Sequence, residues 1–400
     1  MGTRQAPGLA AIVLGCGLAL LVGFACGGGA GEEGGGAGEE GGGEGDERFQ
    51  PEQTIPGIES ELVAIAADGV MAMDFAPDGR LFFTEINSGN IRIVTPTGQL
   101  LDEPFAQVDL GTAREATLTG LAIDPNFEEN SYVYVYFSKA AEIEPFLGSP
   151  ALMRFTDTNS RGTDPIVLME FPLADPEIPV SLGGRIHFGP DGYLYISVGD
   201  IRDARFDQLA QDLSSPFGKI LRVTRDGDPA PDNPFVDEPG ADPRIYAYGL
   251  RDTGDFAFEG ETGRLYAPDA GDVNCDELNI IEAGENYGWP GGVPCSNPGG
   301  VEPIYHYALP GKAPEEVVSD VDPTGIEFVS GDVYPALGDG LLVCEFKTGF
   351  MRRLQLSGPN QNQVSDDAVA VQDCTVALAS DDSGVIYYSN AKEIRRLPPQ

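Results

Sequence analysis

The 400-residue chain has few positive charges, one tryptophan, two histidines and no pair of cysteines two residues apart. It carries 24 Lys plus Arg against 64 Asp plus Glu, which gives a formal net charge of −40. Nucleic-acid binding is excluded, because a phosphate-binding surface needs the opposite charge. A zinc site is not expected, because such sites draw on closely spaced cysteines and histidines.

Turn formers and aromatic residues are abundant instead. The chain has 53 Gly, 32 Pro, 20 Phe and 14 Tyr, and 41% of its residues are hydrophobic. That apolar content is enough for a sizeable core, so general disorder is excluded. Many turns together with many aromatics favour short strands over long helices.

The N-terminal segment reads as an export signal followed by a tether. One cation, Arg4, precedes an uncharged and largely apolar run, so residues 1–25 are predicted to be a signal peptide. Residues 26–50 are rich in Gly and Glu and are predicted to be a disordered tether. Cys26 at the junction resembles the lipidated cysteine of bacterial lipoproteins, and Cys16 is a second candidate. A retained membrane span and plain secretion stay open, and all three alternatives export residues 51–400.

The four remaining cysteines, Cys275, Cys295, Cys344 and Cys374, form an even set. Four cysteines allow three pairings, of which the simplest joins Cys275 with Cys295 and Cys344 with Cys374. Disulfides agree with an exported protein.

A unit of two apolar strands around a tight turn recurs along the rest of the chain. Six copies are recognised: Met73 to Val94, Gly120 to Ser138, Gly184 to Asp200, Asp255 to Asp272, Gly325 to Leu356 and Val376 to Leu397. Their spacing is typical of four-stranded propeller blades, so an all-β, six-bladed β-propeller of antiparallel blades is predicted over residues 51–400. The apolar segment Ile58 to Ala66 is expected to complete the last blade and close the ring.

Several segments then resemble the glucose/sorbosone dehydrogenase family, which includes soluble sugar dehydrogenases that use pyrroloquinoline quinone (PQQ). The resemblance is carried by GGRIHFGPDGYLYISVGD from Gly183, SPFGKILRV from Ser215, IYAYGLRD from Ile245 and DELNIIEAGENYGWP from Asp276. It implies oxidation of an aldose or related sugar by hydride transfer to PQQ, with calcium as a Lewis acid. The electron acceptor is not identified.

The resemblance also implies site residues. Arg251 matches the arginine that faces the quinone, and Lys347 and Thr324 match cofactor-binding positions. Asp200 matches an acidic residue on the substrate side. PQQ is a tricarboxylate, so cations such as Arg251 and Lys347 are expected around it.

Calcium positions follow from the same resemblance. Gly271 and Asp272 fall where backbone carbonyls meet the cofactor calcium, and Asp276 and Glu277 match the acidic pair of a second, structural calcium site. Neighbouring carboxylates repel one another unless a cation lies between them.

The sequence also departs from the family pattern. Ser181 occupies the position of the catalytic histidine, and a serine hydroxyl is no general base near neutral pH. Asp252 replaces an asparagine and Ala270 a glutamine, while Asp373 and Thr375 fall at two cofactor-binding arginines. These changes predict weakened binding of an anionic cofactor. His187 is interpreted as a packed residue in preference to a catalytic base. Trp289 is interpreted as a packing anchor in preference to a platform on which a sugar stacks.

Three functions are therefore carried forward. The first is an exported, PQQ-dependent sugar dehydrogenase, anchored to the membrane only through its N-terminal lipid and acting on a small sugar. The second is a catalytically degenerate propeller that serves as an extracytoplasmic binding or scaffold protein. The third is a calcium-dependent lactonase, for which Asp200, Glu115 and Asp252 are candidate ligands.

Overall fold

A computed structural model describes residues 54–111, 116–140, 147–171, 183–201, 207–271, 276–290, 299–307 and 321–400. Its strands form six sheets, each of four antiparallel strands. The predicted six-bladed β-propeller is thereby confirmed. Within these ranges no helix is both long and apolar enough to cross a membrane.

The first three blades follow the chain without interruption. Blade 1 contains β2 (Val70–Phe75), β3 (Leu81–Glu85), β4 (Asn90–Val94) and β5 (Ala106–Gln107); blade 2 contains β6 (Thr117–Ile123), β7 (Tyr132–Ala140), β8 (Leu147–Asp157) and β9 (Gly162–Glu170); blade 3 contains β10 (Gly183–Phe188), β11 (Leu194–Val198), β12 (Lys219–Val223) and β13 (Ile245–Tyr248). The short helix α1 (Phe127–Asn130) lies in the turn between β6 and β7.

The next two blades repeat this plan, and the last one closes the ring. Blade 4 contains β14 (Ala257–Phe258), β15 (Leu265–Asp269), β16 (Glu277–Ile281) and β17 (Tyr305–His306); blade 5 contains β18 (Pro323–Val329), β19 (Gly340–Glu345), β20 (Met351–Ser357) and β21 (Gln363–Val371); blade 6 contains β22 (Leu378–Ser380), β23 (Ile386–Asn390), β24 (Glu393–Arg396) and β1 (Glu61–Ile65). Strand β1 pairs antiparallel with β24, from Glu61 opposite Arg396 to Ile65 opposite Glu393. The segment Ile58 to Ala66, which contains β1, therefore completes the last blade, as predicted.

The core is divided among the junctions between neighbouring blades. One apolar cluster joins blades 1 and 2 around Phe82 and Val133, and another joins blades 6 and 1 around Phe83 and Ile394. Corresponding clusters fill the other junctions. Because alternate residues of a strand face opposite sides, each inner strand serves two junctions. This packing fixes the position of the inner strands, whose ends carry the candidate site.

Candidate functional site

The predicted site residues that the structure describes share one end of the ring, which we call the site face: the end at which the inner strands β10, β14, β18 and β22 begin. In blade 3, Gly183 at the start of β10 pairs with Val198 at the end of β11. In blade 5, Pro323 at the start of β18 pairs with Glu345 at the end of β19. Antiparallel pairing thus brings the residues that follow each second strand beside those that begin each first strand.

The turn that carries Arg251 is held by Asp269, the last residue of β15. Its carboxylate accepts hydrogen bonds from the backbone N–H of Arg251 and of Asp252, both at 2.9 Å, and from the Thr253 hydroxyl at 3.0 Å. Burial, aided by the negative charge of Asp252, raises the pKa of Asp269 to about 7, and the three donors oppose that rise. Asp269 was not singled out from the sequence, where it looks like an ordinary residue of a short strand.

The side chain of Arg251 turns toward the end of β15. Its Nη1 donates to the carbonyl oxygens of Ala270 at 3.0 Å and Gly271 at 2.7 Å. Gly271 is a predicted calcium ligand, so a guanidinium here contacts a carbonyl assigned to the metal. Both carbonyls accept hydrogen bonds from the same Arg251 nitrogen, so the pair can hold a cation. Calcium bound through Gly271 would compete with the Arg251 guanidinium for these carbonyls.

Asp200 and Trp289 connect this turn to two other segments. The indole Nε1 of Trp289 donates to Oδ2 of Asp200 at 2.6 Å, and the Arg251 guanidinium lies 5.2 Å from the centre of the Trp289 ring. The backbone N–H of Asp200 donates to the carbonyl of Arg251 at 2.8 Å. The sequence motifs SVGD, GLRD and NYGWP therefore meet at one place on the site face.

Asp200 has no exposed surface in this arrangement. A substrate would reach its carboxylate only if the residues that cover it moved, so the catalytic role of Asp200 stays a prediction. Trp289 is partly buried and belongs to the site, which goes beyond its interpretation as a packing anchor.

A close approach of two loops brings Trp289 to Arg251. The backbone N–H of Trp289 donates to the carbonyl of Gly249 at 2.8 Å, and the Gln211 amide bonds the side chain of Asn286. Gly249 has a φ of +75°, and a Cβ there would lie 2.1 Å from Oδ1 of Asn286. Glycine is required at this position for both reasons.

The predicted structural calcium pair lies in blade 4 beside the same turn. The carboxylate of Asp276 accepts the backbone N–H groups of Gly271 at 3.1 Å, Val321 at 2.8 Å and Asp322 at 3.0 Å. Glu277 accepts the Asn279 amide at 2.9 Å. Asp276 thus links the loops before β16 and β18, and its role as a calcium ligand stays a prediction.

Blade 5 carries the predicted positions Lys347 and Thr324, and Asp373 lies between the strands of blades 5 and 6. Lys347 is partly exposed and forms an ion pair with Asp322 at 3.2 Å. The Thr324 hydroxyl donates to carbonyls within the protein, with Cys344 O at 3.1 Å and Thr375 O at 3.0 Å. Asp373 accepts a hydrogen bond from the Tyr388 hydroxyl at 2.7 Å, which ties Asp373 to β23 of blade 6.

Part of the predicted set lies outside the described residues: Ser181, Asp272, Glu115, Cys275, Cys295, Cys26 and Cys16. The disulfide between Cys344 and Cys374 is present and joins blade 5 to the start of blade 6, which confirms that pairing. Within the described ranges, no three His, Cys, Asp or Glu side chains are grouped to hold a metal ion.

A group of charged side chains lines the central channel beyond the site face. His187 Nε2 bonds Asp255 Oδ1 at 2.7 Å, which agrees with its interpretation as a packed, partnered residue. Burial works against protonation of His187, but Asp255, Asp74 and Glu327 together raise its pKa. Burial raises the pKa of Asp74 to about 6 and that of Glu327 to about 7. Arg185 lies nearby, and the sequence alone did not indicate any of these channel contacts.

Comparison with known proteins agrees with this geometry. The sequence profile of the Glucose / Sorbosone dehydrogenase family matches residues 68–394. The aldose sugar dehydrogenase YliI of Escherichia coli is 28% identical over 235 residues, which are 58% of this chain and 62% of that protein. Quinoprotein glucose dehydrogenase B of Acinetobacter calcoaceticus is 27% identical over 281 residues, which are 65% of this chain and 57% of that protein. The matches thus span less than two thirds of these relatives.

A solved structure extends the likeness over the whole ring. A protein of Thermus thermophilus, described as a putative oxidoreductase (glucose dehydrogenase), is 30% identical with a TM-score of 0.71. The likeness covers 85% of this chain and 100% of that one.

Proposed function

Because the chain belongs to the glucose/sorbosone dehydrogenase family, we propose that it is a sugar dehydrogenase that oxidises an aldose or related sugar with PQQ and calcium. Its site departs from the family pattern at several positions. The proposal is carried by one observation: Arg251, Asp200 and Trp289, which belong to three separate family motifs, are in contact on the site face.

The cofactor would be held mainly by cations of this chain. Arg251 and Lys347 are the candidates, and the Thr324 hydroxyl donates to the carbonyls of Cys344 and Thr375. PQQ held by these residues would supply a hydride acceptor for the sugar's anomeric carbon, and calcium would supply a Lewis acid. Asp252 and Asp373 add negative charge at matched positions, so we expect weaker binding than the family pattern provides.

A carboxylate must take the hydroxyl proton if Ser181 stands in place of the histidine. Two carboxylates of the described chain are candidates. Asp252 is partly exposed beside Arg251, whereas Asp200 is fully buried behind Trp289. The indole of Trp289 donates to Oδ2 of Asp200, so Asp200 could act as a base only if the site opens.

The test uses the purified full chain, PQQ and calcium, with dye-linked oxidation of a panel of aldoses. We expect turnover that depends on both additions. Asp200→Asn and Asp252→Asn distinguish the two proton acceptors, because loss of a general base costs about 10²–10⁴-fold in rate. Asp78→Asn, in an exposed turn of blade 1, is the control and should leave the rate unchanged. Absence of both PQQ binding and turnover in the wild type would overturn the proposal.

A degenerate binding or scaffold propeller is the second candidate. It is favoured by Asp373, whose carboxylate is committed to Tyr388, Asn390 and Arg395 where a cofactor-binding arginine was expected. Calorimetry separates the two: a protein that calcium stabilises but that binds no PQQ would support this candidate. Calcium-dependent hydrolysis of lactones under the same conditions would favour the third.

We also propose that the chain is exported and lipid-anchored. The Cys344–Cys374 disulfide supports an oxidising compartment. Metabolic labelling with a fatty acid tests the anchor: Cys26→Ser should abolish labelling and Cys16→Ser should not. Label retained in the Cys26→Ser variant would contradict the assignment of Cys26.

A further inference from the structure

Arg185, the third residue of β10, crosses the centre of the ring beneath the site face. Its side chain is 4% exposed. Nε donates to the carbonyl of Gly254 at 3.1 Å, and Nη1 donates to the carbonyls of Thr119, at 3.0 Å, and Met71. One guanidinium from blade 3 thereby joins β2, β6 and the residue run that leads into β14.

The surroundings of this guanidinium are unusual for a buried arginine. In the part of the chain that the structure describes, its hydrogen bonds go to backbone carbonyls and none to a carboxylate. Burial lowers the pKa of Arg185, and the negative charge of Asp255 opposes that effect. An arginine in such a place is costly unless its fork of donors is fully used. The three carbonyls accept from Nε and Nη1 and so offset part of that cost.

The carbonyl of Gly254 links Arg185 to the candidate site. Gly254 follows Asp252 by two residues, and Thr253 between them binds Asp269. On its other side the Gly254 backbone lies against blade 5, because a Cβ there would be 2.5 Å from the carbonyl of Pro323. The segment 251–254 is therefore fixed at one end by Asp269 and at the other by Arg185.

We propose that Arg185 is a positioning residue of the site, which sets where Arg251 lies relative to Trp289 by holding the carbonyl of Gly254. As a contribution to catalysis this inference rests on the proposed function. As a statement about the geometry of the site it does not. The alternative is that Arg185 only stabilises the ring. In that case its replacement would lower stability and leave the site unchanged.

Trp289 makes this distinction measurable, because it is the only tryptophan of the chain and lies under Arg251. Its fluorescence therefore reports on the site in the protein without cofactor. Arg185→Met removes the carbonyl contacts and the charge, and Arg185→Lys keeps the charge without the planar fork. Arg222→Met is the matched control, since Arg222 is also a buried arginine of blade 3 but pairs with Asp191 and Asp232.

We expect Arg185→Met to shift the Trp289 emission and to make it more accessible to acrylamide, with a smaller change in Arg185→Lys. Arg222→Met should lower the melting temperature and leave the emission unchanged. If Arg185→Met does not fold, Arg185→Lys carries the test. A folded Arg185 variant whose emission and quenching match those of the wild type would overturn the proposal.

A second readout applies if the wild type oxidises sugar. A misplaced Arg251 should lower kcat by about tenfold or more in Arg185→Lys, and Arg222→Met should retain the wild-type kcat. A wild type without PQQ binding would sink the proposed function and leave the fluorescence result intact. An Arg185→Lys enzyme with wild-type kcat would contradict the positioning role.

Discussion

The two sides of the site face are built differently. On the side of blades 3 and 4, two buried carboxylates make the contacts: Asp269 fixes the Arg251 turn, and Asp200 accepts a hydrogen bond from Trp289. On the side of blades 5 and 6, Lys347 is partly exposed, and Asp373 accepts a hydrogen bond from Tyr388 of blade 6. An anionic cofactor, if the proposed one binds, would therefore be oriented mainly from the first side.

Removing Asp269 should give the largest effect and tests whether the first side is as rigid as its contacts indicate. Asp269→Ala leaves three donors without their acceptor in a buried place, so we expect a loss of about 4 kcal/mol in the free energy of unfolding. Urea denaturation measures it. Asp373→Ala on the other side is the comparison and should cost about 1 kcal/mol, since its carboxylate is 41% exposed. Equal losses would contradict the difference between the sides.

The sequence predicts the ring better than it predicts the site. Pro-Asp-Gly turns mark two of the units, at 77–79 and 190–192, and paired apolar strands around a turn recur in all six, so blade number and the closing strand at Ile58 to Ala66 follow from local pattern. The family motifs also predict that Arg251 and Asp200 belong to one site, although not the contact between them.

The partners of those residues depend on contacts that no local pattern records. Asp269 looks like an ordinary residue of a short strand, yet it holds a segment 17 to 18 positions away. Arg185 binds carbonyls at positions 71, 119 and 254, which become neighbours only when the inner strands close around the axis. Such positions were missed because backbone acceptors leave no signature in side-chain sequence.

The charged groups of the channel also differ from one blade to another, and the pH dependence of stability should show this. His187 and Asp255 form a pair, whereas Glu327 of blade 5 and Asp74 of blade 1 are carboxyls whose pKa is raised by burial. The pKa of Glu327 rises from 4.5 to about 7, so its contribution to stability is complete below pH 4.5 and is lost as pH increases through 7.

Glu327→Gln removes that titration. Relative to the wild type, we expect the variant to gain about 2 kcal/mol at pH 8 compared with pH 5, where Glu327 is largely protonated. His187, Asp255 and Ser380 face this carboxyl and are retained in the variant. Thermal denaturation across pH 5 to 8 measures the difference. A gain that is larger at pH 5 than at pH 8 would contradict a raised pKa.

Calcium binding tests how the first side uses its cation. Because the Arg251 guanidinium occupies the carbonyls of Ala270 and Gly271, Arg251→Met should increase calcium affinity by about tenfold, which is 1.4 kcal/mol. Isothermal titration of the full chain with calcium measures this. Lys347→Met is the control, because Lys347 pairs with Asp322 instead, and its affinity should stay at the wild-type value. Weaker calcium binding by Arg251→Met would contradict the competition.

The smallest effect is expected on the second side, from the ion pair between Lys347 and Asp322. Both side chains are partly exposed, at 38% and 27%, so Lys347→Met should change the free energy of unfolding by less than about 1 kcal/mol. Screening by salt reduces such a pair further, so the difference from the wild type should shrink in high salt. Urea denaturation at low and high salt measures both. A loss as large as that of Asp269→Ala would mean that the second side is as firmly held as the first, because only a desolvated pair could cost so much.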